Sequence, residues 1–201
     1  MKKLLSLLLA LMLLATPCAL ADADAPKTLT TPDGDCSFEV PADYVELNAE
    51  TLRSLFSTEA MQDYAAQLLG LENAADLNRY VEILEASSMM FVYTADLKGN
   101  ISVQVSEASL TMEMLVVLKN MLDASMYEQF RAIGVAEEDI RTMDIQTIGG
   151  RRWYAISATL MDMPQLMLIT VENGMQYSFA FTNIGDEVCL QVLESITIAA
   201  Q

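Results

Sequence analysis

The chain predicts an α+β domain in which helices pack on an antiparallel β-sheet of five to seven strands. Three observations predict it. The apolar period changes from about 3.6 to 2 near Met89, and Asn173-Gly174 marks a two-residue hairpin. The aromatic alternation of Met175, Tyr177, Phe179 and Phe181 is followed by an amphipathic segment at 186–195 that can lie on it.

Residues 1–21 precede that domain and read as a cleaved signal peptide. Lys2 and Lys3 open it, Leu4–Ala15 is an apolar run of 12 residues, and Ala19-Leu20-Ala21 offers the small-x-small cleavage pattern. The run is shorter than the roughly 20 residues of a membrane span, so no direct membrane anchor is expected after cleavage. Residues 22–35, rich in Asp, Ala, Pro, Thr and Gly, read as a flexible leader ending in a turn at Pro32-Asp33-Gly34. The single domain is expected to occupy 36–201.

Within it, Ser37 to Val40 is a short strand stopped by Pro41. The spacing of Leu52, Leu55 and Phe56, of Met61, Tyr64, Ala65, Leu68 and Leu69, and of Leu77, Tyr80, Val81 and Leu84 predicts a helical region. Met89 to Thr94 and Ile101 to Val105 form a predicted hairpin, with Ile101, Val103 and Val105 on its buried face. A second helical region runs from about Met112 to Ile133, carried by Leu115, Leu118 and Leu122, and Ser125 with Glu128 suggests a fresh helix start inside it. Four strands follow, Arg141 to Ile148, Arg151 to Leu160, Gln165 to Glu172 and Met175 to Thr182. The chain closes with a helix whose stripe is Val188, Cys189, Val192, Leu193 and Ile196.

Several chemistries are excluded or disfavoured. The 201 residues contain no histidine, which removes catalytic triads, Cys-His pairs and imidazole metal ligation. The formal net charge is −17, and becomes −19 once Lys2 and Lys3 leave with the leader. Such a surface repels nucleic acid and anionic lipid, and it suits a solvated coat or a basic partner. Cys36 and Cys189 survive processing and are compatible with one disulfide closing a long loop. Equally, Cys189 lies on the apolar stripe of the last helix, where a free thiol acts as a small apolar group.

Candidate sites are few. Asp33-Gly34-Asp35 reads as a turn rather than a calcium loop, since no closing carboxylate pattern follows. The acidic run Glu137-Glu138-Asp139 reads as a solvated loop. Of 14 methionines, Met112-x-Met114 and Met161-x-Met163 would place two thioethers on one side of a strand, as a soft-metal site needs. Arg151 and Arg152, beside Trp153 and Tyr154, form the one basic-aromatic cluster and are the candidate ligand or partner contacts. The alternative is that Trp153 is core and the arginines pair with carboxylates.

Phe38-Glu39-Val40-Pro41, the turn glycines and aromatics of Gly149-Gly150-Arg151-Arg152-Trp153-Tyr154, Tyr177-Ser178-Phe179, and the closing Leu193-Glu194-Ser195-Ile196 together resemble the PsbP-like fold group. The resemblance spans roughly 36–199 and departs from the group in the helical insertion between Leu52 and Leu84. It implies an α/β/α sandwich and a binding or accessory role, and it carries over no catalytic residues. The expectation is therefore an exported, non-catalytic binding or accessory protein, periplasmic, wall-associated or extracellular. It would use no cofactor or metal and would act through an unknown protein or peptide partner. The alternatives are a methionine-based copper binder and a carboxylate-based hydrolase.

Overall fold

A computed structural model of the chain describes residues 25–48, 89–96, 98–160 and 162–199, together with positions 50, 53, 79, 81, 82 and 86. The expected signal peptide and most of the first helical region lie outside the described residues. The six isolated positions are helical, and Val81 is buried as its spacing predicts.

The strands are β1 (Lys27–Thr30), β2 (Cys36–Val40), β3 (Val45–Leu47), β4 (Met89–Tyr93), β5 (Asn100–Glu107), β6 (Ile140–Thr142), β7 (Gln146–Ile148), β8 (Arg151–Leu160), β9 (Met163–Glu172), β10 (Met175–Thr182) and β11 (Thr197–Ile198). The described helices of more than one turn are α1 (Met112–Val117), α2 (Lys119–Ala132) and α3 (Asp186–Ser195). The large sheet runs β3-β4-β5-β10-β9-β8-β6, with β7 on β8 as its eighth strand, and β1-β2-β11 form a small second sheet. All pairings are antiparallel. The α+β class is as expected.

The alternation of large apolar side chains builds two cores, one on each face of the large sheet. Val92, Ile101, Val103, Trp153, Leu168, Tyr177, Phe179 and Phe181 point to one side. They meet Phe38 and Val40 of β2 and Cys189, Val192 and Leu193 of α3. Phe179 packs edge-on to both Phe38 and Trp153, with ring centroids 5.5 and 5.9 Å away. On the opposite face, Tyr154, Ile156 and Ala158 of β8 meet Phe130, Leu122, Met126 and Tyr127 of α2.

Two hairpins have the geometry their sequences require. Asn173 and Gly174 both have positive φ, 53° and 77°, between the paired residues Glu172 and Met175. Gly149 and Gly150 do the same, at 58° and 76°, between Ile148 and Arg151. Gly149 has a second reason to be glycine: a Cβ there would lie 2.9 Å from the Leu193 carbonyl oxygen, so the β7–β8 turn sits directly against the end of α3.

The structure corrects four local expectations. Residues 27–30 are not a flexible leader but strand β1, whose Leu29 packs on the main core and whose Thr30 hydroxyl lies 2.9 Å from that of Ser37. The expected single strand 141–148 is two, because three residues, 143–145, stand opposite only two, 154–155, of β8. That extra residue is a bulge. The helix break falls at Leu118, not at Ser125. Thr111 caps α1 by accepting from the Met114 amide, α2 begins anew at Lys119, and the Ser125 hydroxyl instead accepts from Gln129.

The fourth correction concerns the disulfide. Cys36 and Cys189 are free thiols, both buried in the main core. Cys36 opens β2, while Cys189 lies near Tyr44, beyond the strand's far end, so the strand's length separates them. Burial pushes both thiols up to about 12, as expected of apolar packing groups.

Candidate functional site

A cavity of about 470 Å³ opens where α1 passes the hairpin ends of β8, β9 and β10. Its walls are the 108–114 segment, Gly150 to Arg152, and Thr170 to Gly174. Both arginines singled out in the sequence border it, and their roles differ because successive strand residues face opposite ways. Arg152 turns toward α1 and pairs with Glu113. Arg151 turns toward α3, donating from Nε to Glu172 at 3.0 Å and from Nη1 to the Ile196 carbonyl at 2.9 Å. Arg151 thereby ties two hairpin ends to the last turn of the chain, and Trp153 is core, donating to the Ile148 carbonyl at 3.2 Å.

The carboxylates of this cleft are committed. The Glu113 carboxyl is held below its usual range by its own backbone amide, then by Arg152 and Thr111. Glu172 accepts from Arg151. The Met112-x-Met114 pair is separated. It lies on helix α1 rather than a strand, where residues two apart point away from each other, so Met112 is buried and Met114 exposed. Met161 lies outside the described residues. Asp33 is a turn residue, accepting from the Thr31 hydroxyl at 2.7 Å and the Asp35 amide at 3.3 Å. Glu137–Asp139 form an exposed 3₁₀ turn. Among the described residues no group of three or more Cys, Asp or Glu side chains is arranged to hold a metal ion.

Beside the cleft is a feature that the sequence did not reveal. Met114, Val116 and Val117 of α1 and Met121 of α2 face outward, Val117 at 82% and Met121 at 70% exposure. Meanwhile Lys119 and Asp123 face inward as an ion pair at 2.6 Å, with side chains only 20% and 17% exposed. The start of α2 thus half-buries an ion pair beside Leu122 while the Met121 thioether and the Val117 methyl groups stay toward solvent. Val117 and Met121, the most exposed of them, each forgo up to about 1.5–3 kcal/mol of burial.

The inward pair is imperfectly satisfied. Asp123 Oδ1 and the Tyr154 hydroxyl are both buried and neither has a hydrogen-bond partner. Burial, then hydrogen-bond contact with the Asp123 carboxylate and that group's charge, hold the Tyr154 phenol well above its usual range, although the two oxygens do not meet in good hydrogen-bond geometry.

No family model matches this sequence, and no curated protein does. Among solved structures, the chain is similar to a cyanobacterial PsbP from Synechocystis, at 12% identity and a TM-score of 0.45, covering 92% of this chain and 99% of that one. It is also similar to a protein from Bacteroides thetaiotaomicron, at 10% identity and a TM-score of 0.45, covering 87% of this chain. The chain spans about half the length of that second structure, 49%. No helix among the described residues is long and apolar enough to cross a membrane.

Proposed function

We propose that this protein is an exported, non-catalytic binding or accessory domain that holds a protein or peptide partner on the shoulder formed by α1, the start of α2 and the adjoining cleft. The observation that carries the reading is the outward Met114–Val117–Met121 stripe on a chain of net charge −17. An apolar face exposed on an otherwise highly charged molecule marks a contact surface. The Arg152–Glu113 pair at its border adds an oriented polar rim, the arrangement of a small interface. Export is supported by the basic, apolar and small-x-small succession of residues 2–21. A non-catalytic role is supported by the absence of histidine and by carboxylates already engaged with arginines.

The test is site-directed photocrosslinking in the native envelope, with the crosslinking residue at Val117 or, on the other side of the sheet, at exposed Leu190 of α3. A discrete adduct from position 117 and none from 190 is expected. Crosslinking from neither position, under conditions where the protein is present and processed, would remove the reading.

A further inference from the structure

Resting on the reading above, we infer that the occupant of the α1–α2 shoulder is a cationic amphipathic helix of another polypeptide. Three observations select it. Met114 and Val117 lie one turn apart on the exposed side of α1, and Met121 is exposed on the first turn of α2 across the break at Leu118, so each helix offers apolar side chains against which the stripe of a second helix can be laid. Two of the three are methionines, whose flexible thioethers adapt to differing apolar neighbours.

Size and charge then exclude a second copy of this chain. The stripe presents only a few hundred Å² of apolar surface, below the about 800 Å² per partner of a stable dimer. Two chains of −17 would also repel on approach, whereas a basic partner would be drawn in. The packing of Leu122, Met126, Tyr127 and Phe130 on β8 keeps the face outward, because turning α2 to hide Met121 would carry these side chains off Tyr154 and Ile156.

The experiment titrates the purified full chain into a fluorescein-labelled 14-residue peptide of leucines and lysines at helical spacing, and into a scrambled peptide of identical composition. The amphipathic peptide is expected to bind at least tenfold tighter, to weaken severalfold as salt rises from 50 to 300 mM, and to shift the methyl resonances of Met114 and Met121. The double variant V117E/M121E is expected to lose at least tenfold, although it adds negative charge that by itself would attract the peptide. L190E is expected to bind as the parent does, and the fluorescence of Trp153 verifies that each variant is folded.

Equal binding of the two peptides, or an undiminished V117E/M121E, overturns the inference. So does a dimer in sedimentation that V117E/M121E disperses, because the occupant is then a second copy. Protection of the Met121 methyl without added peptide would place the chain's own residues on the stripe and overturn it equally. A crosslinked partner at position 117 that lacks any basic amphipathic segment would overturn this inference while leaving the binding role standing.

Discussion

Tyr154 and Asp123 illustrate how one buried hydroxyl can be a liability. The Tyr154 ring is fully packed against α2, yet its oxygen finds no partner. Tyr154→Phe removes the unsatisfied group and keeps the packing, so it should be neutral or stabilise the fold by about 1 kcal/mol. Asp123→Ala should do the reverse, costing about 2 kcal/mol, because it strands the Lys119 ammonium in a largely buried position. Urea titrations followed by the single tryptophan, Trp153, measure both. A Tyr154→Phe protein distinctly less stable than the parent would show that the hydroxyl is in fact paired.

At this scale the sequence was only partly legible. Arg151 and Arg152 could be picked out by their charge, but their partners lie 21 and 39 residues away, so the sequence alone could not say which was a tie within the fold and which a rim group. The stripe was hidden for a sharper reason. Leu115, Leu118 and Leu122 share the spacing of Met114, Val117 and Met121, and periodicity cannot say which of two adjacent apolar stripes faces in.

Among the elements, the β7–β8 turn is the one with least freedom. Gly149 combines a φ of +58° with direct contact on the last turn of α3, whereas Gly34, at +80°, has open space around it. Gly149→Ala should therefore cost about 2–3 kcal/mol and Gly34→Ala about 1 kcal/mol. The two denaturation midpoints should separate accordingly, and equal losses would mean that the α3 contact yields without cost. The long alternating strands were legible because each buries one face and wets the other, as β5 and β10 do. The short ones were not. β1 has a single apolar residue, Leu29, and β11 has two residues in all, so their pairing is decided by β2 between them. The bulge at 143–145 arises from the register against β8, which no local pattern encodes.

For the whole molecule, the buried thiols and phenols set a limit at high pH. Burial holds Cys36, Cys189 and Tyr177 at about 12, above the values they take in an unfolded chain, about 9 for the thiols and 10 for the phenol. Between those limits the unfolded chain binds fewer protons than the native one, so stability falls as pH rises. It is fully present below about pH 9 and is lost progressively toward about 12. Urea midpoints should be level from pH 7 to 8.5 and decline above 9, with a shallower decline in the Cys36→Ala/Cys189→Ala protein. A level profile through pH 11 would show that these groups ionise without unfolding. Protonated and enclosed, the thiols should also resist alkylation until the chain is denatured.

Because β1 and β11 both run antiparallel to β2, they run parallel to each other, and the start of β1, opposite Val40, and the end of β11, opposite Cys36, lie at opposite ends of that strand, about 17 Å apart on the diagonal. A linker of about twelve residues joining 199 to 25 would span that diagonal, and a cut at the exposed Gly134 would supply new termini. Such a circular permutant should fold and keep its affinity for partners. The backbone then behaves as a ring that synthesis happens to open at one place.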